Sequence, residues 1–114
     1  MTTSIDEYWA GVVKREELKR FLLEAVAMAL GVEPIMEHID DAVRDWGKCV
    51  YMHVCDDGVF VGATAEHVPT LGRYNVEFRL DLTGIEQNTE GAKILGCRLI
   101  QRLDDCAAFI RKHS

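Results

Sequence analysis

The sequence has few of the features that mark disordered, collagen-like, membrane-spanning or secreted proteins. It contains 2 prolines and 9 glycines in 114 residues, and 48% of its residues are hydrophobic. This composition excludes a disordered or collagen-like chain. The longest apolar run, residues 21–32, contains Glu24 and is too short to span a bilayer. Because the first six residues also lack the features of a signal peptide, we expect a cytoplasmic protein that forms one domain over residues 1–114.

An excess of positive charge and a metal-binding cysteine motif are also missing. The formal net charge is −6, which argues against binding to nucleic acid or to an anionic membrane. The 4 cysteines, at positions 49, 55, 97 and 106, form no CxxC pair. We therefore expect reduced thiols, no metal site and no cofactor.

Three helices are predicted in the first half of the chain. Ser4 begins a capping box, and the apolar phase slips across residues 11–17, which predicts a short helix followed by a break. A second helix is predicted over 14–30, where Gly31 is a natural end, and a third over 34–46.

From residue 48 the pattern alternates with a period of two. Segments 49–55 and 59–65 flank Asp57-Gly58, a dipeptide that favours a type I′ hairpin turn in which both residues have positive φ. A turn at these two residues pairs Val54 with Val61. The aliphatic side chains of the hairpin then share one face of the sheet.

A third strand is predicted over 73–83, because apolar even positions alternate there with polar odd positions. A long helix is predicted from Asn88 or Thr89 to about residue 112, with Gly96 marking a close approach to the sheet. The predicted class is α+β, in the order ααα-βββ-α. N-terminal helices precede a three-stranded antiparallel sheet with one wet face, and the long C-terminal helix packs on the other face.

Acidic residues are concentrated on the third predicted helix. Residues 33–57 carry a net charge of −5, whereas residues 88–114 carry +2. Acids one helical turn apart repel each other and so destabilise the helix slightly. Folding gives no reason for such acids, whereas attraction of a basic partner surface would explain them. The alternative is a solvated helix face. The predicted partner-binding residues are Glu37, Asp40, Asp41 and Asp45.

The polar face of the sheet is an alternative site. Its residues are Tyr51, His53, Cys55, Phe60, Glu77 and Arg79. Partly apolar side chains on a polar face are common at binding surfaces. His53 and Cys55 could form a thiolate–imidazole pair, but nothing in the sequence orients the imidazole or supplies oxyanion donors. A covered face or an oligomer contact is therefore favoured over nucleophilic catalysis.

The order αβββα is similar to that of two known families. Double-stranded-RNA-binding domains begin their last helix with a basic KKxAK motif, which Thr89–Lys93 (TEGAK) resembles only in part. The PD-(D/E)xK nuclease core resembles Asp57-Gly58 followed by Glu77-Phe78-Arg79, which implies that Asp57 and Glu77 hold Mg²⁺. Arg79 stands where that family has a lysine, and arginine does not deprotonate. We expect neither nucleic-acid binding nor nuclease activity.

The segment 21–30 is apolar on nearly every side, which is typical of a central core helix or of a helix in an oligomer interface. Homodimerisation is one of these two interpretations. The absence of catalytic motifs favours a small acidic protein that acts by binding a protein partner with a basic surface. Immunity proteins, antitoxins and regulatory adaptors are of this kind. The alternative is a small-ligand-binding or catalytic domain that uses the polar sheet face.

Overall fold

The computed structural model describes residues 4–67 and 72–113, except for the side chains of residues 66–67 and 72–74. The class and the order of elements confirm the predicted α+β fold. The elements are α1 (Ile5–Leu30), α2 (Met36–Val43), a 3₁₀ turn (Arg44–Trp46), β1 (Val50–Val54), β2 (Val59–His67), β3 (Gly72–Arg79) and α3 (Thr89–Lys112).

The first helix is continuous, so the predicted break at residues 11–17 is wrong. Ser4 caps it, because the Ser4 hydroxyl accepts a hydrogen bond from the Glu7 amide at 3.1 Å. Segment 14–20 consists of strong helix formers that carry the helix past Gly11. The slip in apolar phase does not interrupt the helix. Instead, it leaves Tyr8 and Trp9 pointing away from the core, and each is 58% exposed.

The helix α1 ends in a Schellman motif. Gly31 adopts a left-handed φ of 71°, its amide bonds to the Met28 carbonyl, and the Val32 amide bonds to the Ala27 carbonyl. The next helix, α2, is shorter than the predicted 34–46, because its last turn tightens into the 3₁₀ turn. Its inward residues are Ile39 and Val43, which are fully buried.

The sheet is antiparallel, in the order β1-β2-β3. The hairpin faces are as predicted, but its register is wrong by two residues: Val54 pairs with Val59, and Met52 pairs with Val61. The turn is centred on Asp56-Asp57, and neither Asp57 nor Gly58 has positive φ. A shift of two residues leaves every side chain on its original face, so the hydrophobic pattern could not distinguish the two registers.

Beyond the hairpin, the third strand ends earlier than predicted. It stops at Arg79 rather than at 83, although Leu80 remains buried on the core side. The predicted inward side chain of Tyr74 lies outside the described residues.

The last helix, α3, lies across the inner face of the sheet and beside α1. Its Asn88 N-cap accepts a hydrogen bond from the Gly91 amide at 2.8 Å, as the capping pattern predicts. Its stripe of Leu95, Leu99 and Leu103 is fully buried. Gly96 does mark a close approach, but to α1 rather than to the sheet: a Cβ there would lie 3.0 Å from that of Ala29.

Most of the apolar segment 21–30 packs in or against the core, as expected for a central core helix. Leu22, Ala25, Val26 and Ala27 are at most 2% exposed, whereas Met28 is 53% exposed.

Candidate functional site

The polar sheet face carries two rows of side chains, each crossing all three strands. In the first row Gly62 pairs with Tyr51 on one side and with Glu77 on the other. The Tyr51 ring lies over Gly62, where a Cβ would overlap it, and its hydroxyl donates to a Glu77 carboxylate oxygen at 2.9 Å. The aromatic ring thus covers the glycine backbone and connects both edge strands.

The second row joins His53, Phe60 and Arg79. The His53 and Phe60 rings meet edge to face, with centroids 6.2 Å apart. The Arg79 guanidinium lies 5.6 Å from the centroid of the Phe60 ring on the other side. Arg79 also donates to the Asp57 carbonyl at 3.3 Å and ion-pairs with the Asp57 carboxylate at 3.5 Å.

The structure therefore brings five of the six predicted sheet-face residues together. Cys55 follows the end of β1, is half-buried and is a free thiol. The two acids of the nuclease resemblance have different partners: Glu77 accepts a hydrogen bond from Tyr51, and Asp57 forms an ion pair with Arg79. The polar groups of this face largely satisfy one another, which suits a stabilising surface network better than a reactive site.

Ionisation of Tyr51 should destabilise the fold in alkaline solution. Burial, followed by the hydrogen bond to and the charge of Glu77, raises the pKa of Tyr51 above 10.0. The neutral phenol is thus favoured in the native state. Its contribution is complete below pH 10 and is lost as the pH rises through the higher native pKa.

We predict that urea unfolding between pH 8 and 11 shows a smaller loss of stability for Tyr51→Phe than for the wild type. In Glu77→Gln, absorbance at 295 nm should show a lower pKa for Tyr51 that burial still keeps above the usual value. Other groups, such as the Cys106 thiol, titrate in both proteins and contribute equally to the pH dependence. Stability that falls equally steeply with pH in the wild type and in Tyr51→Phe would therefore contradict the role given to Tyr51.

A concave surface lies where α1 meets α2, and we call it the acidic groove. It is an open depression of about 680 Å³. Its lining is Leu30, Gly31, Val32, Glu33, His38, Asp41, Ala42 and Asp45. The Schellman motif at Gly31 reverses the chain, so that Glu33 lines the same depression as Asp41 of α2 and Asp45 of the 3₁₀ turn. The lining combines the apolar side chains of Leu30, Val32 and Ala42 with the carboxylates of Glu33, Asp41 and Asp45.

The acidic groove contains only part of the predicted acidic site. Asp41 and Asp45 line it, whereas Glu37 and Asp40 do not. The packing of Ile39 and Val43 into the core fixes the rotation of α2 and directs its acids to different sides. Sequence reasoning did not single out Glu33. Its signal was its position two residues after a helix-ending glycine, which places it beside the next helix.

The carboxylates of the acidic groove have few cationic partners. Asp41 pairs with Arg44 at 3.0 Å, one turn along, which offsets part of the repulsion among the acids. Glu33 lies 4.0 Å from the His38 imidazole. In the part of the chain that the structure describes, Asp45 has no ion-pair partner.

The cysteines and acids of the described residues do not assemble a metal site: no group of three or more His, Cys, Asp or Glu side chains could hold an ion. All four cysteines are free. Burial raises the pKa of the Cys106 thiol to about 11, so this thiol is unreactive near neutral pH. None of the described helices combines the length and apolarity needed to cross a membrane. In comparisons with protein-family models, curated proteins and solved structures, no match to the chain was found.

Proposed function

We propose that the protein is a non-catalytic binding protein that takes a basic side chain of a partner protein into the acidic groove. The observation that carries the proposal is the convergence of Glu33, Asp41 and Asp45 on one depression with apolar walls. A lysine or arginine has an apolar stem and a charged end. The stem would lie against Leu30 and Val32, and the charge would reach the carboxylates at the rim.

Electrostatic attraction would act mainly on the rate of association. Exposed charges interact over a Debye length of about 8 Å at physiological salt. Raising the salt concentration should therefore slow association with the partner and change dissociation less. An immunity protein, an antitoxin or a regulatory adaptor would use such a surface. The four free thiols are in keeping with our placement of the protein in the reducing cytoplasm.

The test is the double reversal Asp41→Lys/Asp45→Lys. We expect it to weaken partner binding at least about tenfold, because reversing rim charges replaces attraction by repulsion. Both residues are exposed, Asp41 on α2 and Asp45 on the 3₁₀ turn, so the fold should remain intact. The measurement is quantitative capture of partner from a source lysate on immobilised protein, followed by affinity determination with the captured protein.

The matched control is Glu17→Lys/Glu24→Lys. These acids are exposed on α1, lie outside the acidic groove and change the net charge by the same amount. The control should bind like the wild type. Equal weakening by both double reversals would show that only the overall charge matters and would contradict the groove.

A second candidate is ligand binding on the polar sheet face. The observation in its favour is the row of exposed His53, half-buried Phe60 and exposed Arg79, which offers aromatic and cationic groups to a planar anion. If this candidate is right, Arg79→Ala should abolish binding of the ligand, and Asp41→Lys/Asp45→Lys should leave that binding unchanged. Binding of a basic partner in the acidic groove predicts the reverse for these variants.

A further inference from the structure

We propose that two copies of the chain associate through the first half of α1, packed antiparallel about a two-fold axis. The inference is independent of the acidic groove, which lies at the other end of the same helix. Three observations carry it: an unpacked stretch of helix, the apolar residues that it exposes, and the basic residues that follow them on the same face.

The first half of α1 projects beyond the rest of the fold. A helix of 26 residues is about 39 Å long, and the molecule measures 56 Å along its longest axis. The radius of gyration is 16.5 Å, against about 13 Å for a compact chain of this length. Residues 4–10 are all exposed. A helical stretch without tertiary packing is only marginally stable in water, so a partner would stabilise it.

The projecting stretch exposes large apolar side chains at helical spacing. Ile5 is 75% exposed, Tyr8 and Trp9 are each 58% exposed, and Val13 is 49% exposed. An isolated exposed apolar residue needs no explanation, but a contiguous patch with two aromatic rings marks an interaction surface. Tyrosine and tryptophan are also among the residues enriched at protein interfaces.

The same face turns basic further along the helix. At 100° per residue, the stripe from Ile5 to Val12 and the residues Arg15, Lys19 and Arg20 fall within an arc of about 140°. These three basic residues line a concave corner of about 550 Å³ where α1 passes the β1–β2 turn. Two acids line the same corner: Asp56, and Glu16, which lies within the same arc of the helix. Within this arc the basic half carries Arg15, Lys19 and Arg20 against Glu16, whereas the apolar half carries no charged residue and Asp6 lies just beside it.

A face with an aromatic half bordered by Asp6 and a net basic half complements itself only in an antiparallel pair. In a two-fold dimer, each contact between residue i and residue j occurs twice. An antiparallel arrangement centred near Lys14 sets Tyr8 and Trp9 of one copy opposite Lys19 and Arg20 of the other, where cation–π contacts form. Asp6 then lies near the second copy's Arg20. A parallel pair would set like charges against each other.

The first test is sedimentation equilibrium of the full chain. The wild type should show a concentration-dependent mass that approaches twice 12.9 kDa. Tyr8→Ala/Trp9→Ala should be monomeric over the same range and keep its far-UV circular dichroism spectrum in dilute solution, because both side chains are exposed in the monomer. A wild type that stays monomeric to millimolar concentration would overturn the proposal and leave the patch to another partner or a lipid surface. So would a dimer that the double truncation does not weaken.

The second test fixes the direction of pairing. Asp6→Lys and Arg20→Glu should each weaken the dimer about tenfold, because each reversal acts at both symmetry-related contacts. The combined variant Asp6→Lys/Arg20→Glu should bind more tightly than either single variant, since the opposite charges face each other again, although the cation–π contact of Arg20 stays lost. Additive losses in the combined variant would overturn the antiparallel arrangement.

Discussion

Replacing Gly91 by alanine should lower the free energy of unfolding by about 3 kcal/mol, although alanine is the better helix former. A Cβ at position 91 would overlap the backbone carbonyl of Glu86, which the preceding loop folds over the first turn of α3. A backbone carbonyl cannot rotate away as the end of a side chain can. The loop must move, and the movement breaks the bond from the Gly91 amide to Asn88, so the N-cap is lost too.

The matched control is Gly11→Ala, in the first half of α1. A Cβ there meets only the end of the Arg15 side chain, at 3.6 Å. This substitution should stabilise the protein by up to about 1 kcal/mol through helix propensity. Urea unfolding monitored by circular dichroism measures both values. If Gly91→Ala proves neutral or stabilising, the loop does not pack on α3 as described.

Truncating Leu99 to alanine should cost about 3–4 kcal/mol. Leu99 is fully buried in the middle of α3, between Leu95 and Leu103 and among the core residues that α1 and the sheet contribute. Removing three carbon atoms from this position loses transfer free energy and leaves a cavity that rigid neighbours on two sides cannot fill. Domains of this size have a total stability of about 5–15 kcal/mol, so the loss is a large fraction.

Ile94→Ala on the same helix serves as the control. Ile94 is 40% exposed, so its truncation removes few buried contacts and should cost less than about 1 kcal/mol. Similar losses for Leu99→Ala and Ile94→Ala would contradict the orientation of α3. The comparison is made by urea unfolding under identical conditions.

Features that depend on local pattern could be predicted from the sequence. The Asn88 cap of α3 follows from the chemistry of one side chain and the amides after it. The inward face of the hairpin follows from alternation along each strand, since Met52 and Val61 lie on the core side in either register. The five sheet-face residues that meet on three strands follow from the same alternation.

Features that depend on contacts between distant segments could not be predicted. The position of the hairpin turn depends on which two residues close it, and the pattern is unchanged by a two-residue shift. Gly96 faces Ala29 because α1 packs beside α3, a pairing that no periodicity encodes. The acidic groove required both the Schellman turn that positions Glu33 and the rotation of α2 that separates Asp41 from Glu37.

Binding in the acidic groove is tested most directly by an NMR titration of the ¹⁵N-labelled protein with a lysine-rich peptide. We expect the largest amide shift changes on Glu33, Asp41 and Asp45 and on the residues next to them. These changes should disappear in Asp41→Lys/Asp45→Lys and persist in Glu17→Lys/Glu24→Lys. Changes centred on His53, Phe60 and Arg79, or changes spread evenly over all acidic residues in both variants, would contradict the account.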